Sequence, residues 1–94
     1  MITAVDSETL TIGVAALGLT AAKTADITVD QVTIYAEGDI RFWTSGKAPT
    51  ATDGIPLLAN SERTFSRGEA AQFKAIRMGG VDVKIHVQYL HDPQ

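Results

Sequence analysis

The closing stretch of the chain constrains the fold more than any other. Val81, Val83, Ile85, Val87 and Tyr89 fall on one parity, and Asp82, Lys84, His86 and Gln88 on the other. Successive side chains of a strand point to opposite faces, so this alternation predicts a strand with one buried and one wetted face. Half-wetted strands belong to antiparallel sheets. Leu10, Ile12 and Val14 alternate with Thr9, Thr11 and Gly13 in the same manner.

The middle of the chain is β-patterned with interruptions. Ile27 and Val29 share one parity while Val32, Ile34 and Ala36 take the other, which predicts a tight turn or bulge near Asp30-Gln31. A second break is expected at Glu37-Gly38-Asp39, with Gly38 supplying a positive φ for a hairpin or bulge. Ile40 and Phe42 then alternate with Arg41 and Trp43 up to a turn at Ser45-Gly46. Residues 47–60 read as a long ordered loop, rich in the turn formers Pro49, Thr50, Thr52, Asp53, Gly54, Pro56 and Asn60. Leu57 and Leu58 are expected to fold back and pin it to the body.

Arg63-Thr64-Phe65 predicts a short strand ended by Ser66-Arg67-Gly68. Ala71, Phe73 and Ala75 begin another, which Gly79-Gly80 turns into the last. Leu17–Lys23 fits either a short helix or an edge strand. Six to eight short strands with turn signals about every ten residues predict an all-β fold, a small antiparallel β-sandwich or barrel. Ninety-four residues suffice for one such domain, 1–94, and leave no room for a second. Residues 1–6 are expected to form an N-terminal arm.

Composition narrows the function classes. Eight Lys and Arg residues are scattered through a chain of net charge −3, so no basic stripe tracks a phosphate backbone and nucleic acid is not an expected partner. Met1–Val5 has no basic residue, and the apolar run Ile12–Leu19 is short and broken by Gly13 and Gly18, so neither a signal peptide nor a membrane span is expected. There is no cysteine for disulfides, thiolate ligands or nucleophiles.

No catalytic, cofactor or metal residue emerges. His86 and His91 are five apart on a predicted strand and so face opposite ways, without converging ligands. Asp26, Asp30, Glu37 and Asp39 are close in sequence, and a carboxylate pair at a sheet end would allow glycoside chemistry. They also read as ordinary turn and strand-flanking acids, and that reading, with no enzymatic activity, is the expectation.

Trp43 and the loop after it are the informative features. If Ile40 and Phe42 are core, Arg41 and Trp43 lie on the outer face, where an exposed Trp beside an Arg suits a protein interface or a sugar platform. The alternative is that the loop or second sheet covers Trp43. Pro49 fixes φ, Thr50 and Thr52 can hydrogen-bond the loop backbone, and Gly54 ends the segment, which predicts a rigid recognition loop. The interface candidates are Arg41, Trp43, Pro49, Thr50, Thr52, Leu57 and Leu58.

These residues also carry a resemblance. Ile40-Arg41-Phe42, the run Ala48-Pro49-Thr50-Ala51-Thr52-Asp53-Gly54, Leu57-Leu58, Gln72-Phe73-Lys74-Ala75-Ile76-Arg77 and the alternating strand Val83–Tyr89 resemble small virion proteins of tailed bacteriophages and prophages. The similarity runs from about Ala25 to Leu90. It implies a β-sandwich particle component made in the host cytoplasm, a head decoration (cement) protein bridging major capsid subunits as a trimer or dimer. A tail or neck component is the alternative within the particle. A carbohydrate-binding module, pairing Trp43 with Tyr35 on one open face, is the alternative from another class.

Overall fold

The structure, a computed structural model, describes residues 2–92. Eight strands and two short helices run in the order β1 (Thr3–Ile12), β2 (Leu17–Gly18), α1 (Ala21–Thr24), β3 (Gln31–Ala36), β4 (Ile40–Trp43), β5 (Ile55–Leu57), β6 (Ser61–Ser66), α2 (Arg67–Ala71), β7 (Lys74–Arg77) and β8 (Val83–His91). They form two four-stranded antiparallel sheets, ordered β1-β8-β3-β6 and β2-β7-β4-β5. The fold is an all-β sandwich. Every connection except β4–β5 crosses from one sheet to the other, and the first and last strands pair from Thr3↔His91 to Ile12↔Val83.

Alternation decides which side chains fill the space between the sheets. Val83, Ile85, Val87 and Tyr89 of β8 and Val32, Ile34 and Ala36 of β3 point inward from the first sheet. Ile40, Phe42, Leu57 and Ala75 meet them from the second. Phe42, Phe65 and Phe73 stack across the gap with ring centroids 5.4, 5.5 and 5.8 Å apart, so one aromatic cluster ties both sheets to the α2–β7 junction. Burying each such side chain contributes about 1.5–3 kcal/mol.

Several local expectations change. Val81 is exposed ahead of β8, and Val14 sits exposed in the bend after β1. Leu17–Lys23 is divided between β2 and the start of α1. The segment after Phe65 becomes α2: Ser66 Oγ accepts from the Glu69 amide while the Glu69 carboxylate accepts from the Ser66 amide, a reciprocal cap that favours a helix over further strand.

Neither Glu37–Asp39 nor Gly79-Gly80 is a hairpin, because the strands on either side belong to different sheets. Gly38 has no positive φ. It is needed for close approach, since a Cβ there would lie 2.8 Å from Val83 Cγ2. The loop expected over 47–60 is interrupted by β5, whose Pro56 is tolerated because β5 is an edge strand. Of the arm expected at 1–6, Thr3–Asp6 are built into β1, and Met1 lies outside the described residues.

Candidate interaction surface

β4 turns Ile40 and Phe42 into the core and therefore presents Arg41 and Trp43 on the outer face of the second sheet. Neither side chain projects freely. Arg41 Nε donates to the Ala51 carbonyl at 3.0 Å, and Nη1 donates to the Gly54 carbonyl at 2.8 Å. One planar guanidinium thereby holds both arms of the loop. Lys47 Nζ stands 5.4 Å from the Trp43 ring centroid and 3.1 Å from Asp53 Oδ2, so cation, ring and carboxylate close the loop's base. Trp43 Nε1 is buried and makes no hydrogen bond among the described residues, so the ring's contribution comes from packing and the Lys47 cation.

The loop backbone reinforces this clamp. Thr50 N donates to Asp53 O at 2.8 Å, Asp53 N returns to Thr50 O at 3.3 Å, and Thr52 N donates to Thr50 Oγ1 at 3.3 Å. Two glycines permit the path. Gly46 has φ 83° and donates its amide to Gln72 O, tethering the loop's start to the end of α2. Gly54 has φ 145°, and a Cβ on it would sit 3.1 Å from both Arg41 Cβ and Pro49 Cβ. The loop lies pressed against the outer face of β4.

The surface candidates are sorted by this packing. Thr50 and Thr52 are exposed at the loop's crest, and Leu58 is 56% exposed just beyond β5. Arg41 and Trp43 are half-buried and act as supports. Pro49 and Leu57 are corrections. Pro49 is buried against Gly54, and Leu57, 6% exposed, faces Ile40 inside the core, so neither presents surface to a partner.

Tyr35 cannot join Trp43 on one open face. It lies on the outer side of the first sheet, with its hydroxyl donating to Asn60 Oδ1 at 2.9 Å, whereas Trp43 lies on the outer side of the second. The four acids do not converge either. Asp26 accepts from Thr28, Asp30 meets His91 and the Asp92 amide, Glu37 meets His86, and Asp39 accepts from the Ala59 amide. Among the described residues no group of three or more His, Asp or Glu side chains could hold a metal ion, and no helix is long and apolar enough to cross a membrane.

One polar cluster escaped the sequence reasoning. Asp6 and Glu8 occupy inward positions of β1, where they meet Lys23, Thr20 and the hydroxyl of fully buried Tyr89. Burial, with the Glu8 carboxylate beside it, pushes the Tyr89 phenol well above its ordinary value of 10.0, so it stays a neutral donor. The signal was acidic residues on the inward parity of an otherwise apolar-facing strand. Compared with protein-family models, curated proteins and solved structures, the chain matches none.

Proposed function

We propose that this chain is a non-enzymatic structural protein of a tailed-phage particle, a decoration or cement protein that self-associates and seats on major capsid subunits. The observation that carries the reading is the clamped loop 47–54. Its run Ala48–Gly54, which carries the resemblance to virion proteins, is the stretch that Arg41, Lys47 and the two glycines hold in place. A surface ordered before binding loses little entropy on docking, which suits a protein that works by presenting shape. Repetition over a symmetric lattice multiplies a modest contact through effective concentration.

The test is cosedimentation of purified chain with phage heads that lack it. Wild-type protein is expected to pellet with the heads. Thr52→Arg and Leu58→Asp, both on the exposed rim, are expected to stay in the supernatant, while Tyr35→Ala on the opposite sheet still pellets. Failure of wild-type protein to pellet with heads overturns the decoration reading. Pelleting with isolated tails moves the chain to the tail or neck. Retention on immobilised glycans that Tyr35→Ala abolishes favours the carbohydrate module.

A further inference from the structure

The four sheet edges are not equivalent. β2 has two residues, β5 has three with Pro56 in the middle, and β6 carries exposed Glu62 and Arg63 before Ser66 turns it into α2. Short strands, proline and charge are the devices that blunt an edge against pairing. β1 has ten residues, no proline and no glycine. Among the described residues its backbone bonds are those of the β8 ladder and one from the Ser7 amide to the Asp6 side chain, which leaves the rest of its other edge open.

Glu8 does not guard that edge, and Asp6 covers one amide of it. Glu8 is turned beneath the sheet, where Thr20 Oγ1 donates to Oε1 at 2.5 Å and Tyr89 donates to Oε2. Asp6 is held there by Lys23 and also takes the Ser7 amide at 2.8 Å. The outer row of the strand is Ser7, Thr9 and Thr11, small hydroxyl side chains that suit cross-strand pairing.

We propose that the β1 edge pairs antiparallel with β1 of a second copy, on a two-fold axis through Thr9, joining two sheets into one of eight strands. A two-fold axis perpendicular to the sheet makes the numbers of paired residues sum to an even value. A sum of 16 sets Glu8 against Glu8, and 14 sets Asp6 against Glu8. A sum of 20 leaves only Glu8–Ile12 in the ladder. A sum of 18 pairs Thr9 with Thr9, Ser7 with Thr11, Glu8 with Leu10 and Asp6 with Ile12, with no like charges opposed.

That ladder uses the whole regular part of β1. The strand is interrupted on one side by the bulge between Ala4 and Asp6, and ends on the other at Ile12, and Thr9 is midway between Asp6 and Ile12. The same register brings Val5, 46% exposed, close to Val14 of the second copy, 70% exposed. Two otherwise wetted apolar side chains meet at each end of the ladder. An edge-to-edge contact is small beside the ~1,200–2,000 Å² of a stable complex, so the association depends on concentration.

This inference gives a surface to the self-association in the proposed function but stands without any capsid. Sedimentation equilibrium of the isolated chain should give a mass rising with concentration from 10.0 kDa to twice that value. Because the chain has no cysteine, Thr9→Cys places one thiol on the axis. Directly opposed residues have Cα atoms about 4.5–5.5 Å apart, within disulfide reach. Mild oxidation should cross-link Thr9→Cys into dimers and leave Thr64→Cys, on the β6 edge, as monomer.

Thr9→Lys, which opposes two cations, should sediment as monomer at the concentration where wild-type protein is half dimer, with unchanged circular dichroism. A monomeric wild-type chain at every concentration, a limiting mass of three chains, or cross-linking through Thr64→Cys and not Thr9→Cys overturns the inference. Capsid binding by a chain found monomeric would sink this interface and the self-association, and leave the capsid-seating part of the proposed function standing.

Discussion

Arg41→Met removes the guanidinium that spans the loop while keeping an unbranched apolar stem over Gly54. Two hydrogen bonds are lost, one exposed and one part-buried. A hydrogen bond to a charged donor contributes about 1.5–3 kcal/mol when well buried, and the exposed one, weakened by water, about 0.5 kcal/mol. Taking the low end for the part-buried bond gives a total near 2 kcal/mol. A loss of that size raises the opening equilibrium of the loop about thirtyfold.

The assay is amide hydrogen exchange at Thr50 and Asp53, whose N–H groups close the loop on each other's carbonyls. Exchange there should quicken about thirtyfold in Arg41→Met, while amides of the β8 ladder change only as far as global stability falls. Arg41→Lys keeps the charge but not the two-armed geometry, and should fall between the two. Unchanged protection of Thr50 and Asp53 in Arg41→Met would falsify the idea that Arg41 clamps the loop.

Gly54→Ala forces a side chain into the left-handed region and against Arg41 Cβ and Pro49 Cβ, so it should cost about 2 kcal/mol by urea denaturation, whereas Gly79→Ala, with open space around it, should be within about 0.5 kcal/mol of wild type. Ser66→Ala deletes the cap of α2 and should cost about 1 kcal/mol in the same measurement. The hydrogen bond from Lys23, then that from the Ser7 amide, holds the Asp6 carboxyl below its ordinary 3.8. Its contribution is therefore present above 3.8 and lost as pH falls through the folded value. Wild-type protein should be more stable than Asp6→Asn at neutral pH and converge with it in acid, and an advantage that survives acidification would refute the ion pair's role.

What the sequence revealed was the face of β3, β4 and β8, because burial on one side imposes parity. Val83, Ile85, Val87 and Tyr89 all point inward as read, as do Ile40 and Phe42. What it did not reveal was which sheet a strand joins. Gly38 and Gly79-Gly80 look like hairpin signals, yet almost every connection here changes sheet, and a turn residue reports only that the chain bends. α2 was legible in Ser66-x-x-Glu69, although Gly68 after an Arg read more readily as a strand end.

The candidate site shows the same division. Thr50, Thr52 and Leu58 are exposed, while Pro49 and Leu57 turn inward because the loop folds onto β4 rather than standing away from it. That return depends on Arg41 reaching two carbonyls ten and thirteen residues ahead, a contact no local pattern encodes. The acids under β1 are non-local too: Glu8 accepts a hydrogen bond from a tyrosine 81 residues away.

The most direct test of the proposed role is the copy number of this chain in purified phage particles, by quantitative mass spectrometry against the major capsid protein. A decoration protein predicts a number comparable to that of the capsid subunit. A handful of copies per particle, or none, contradicts it.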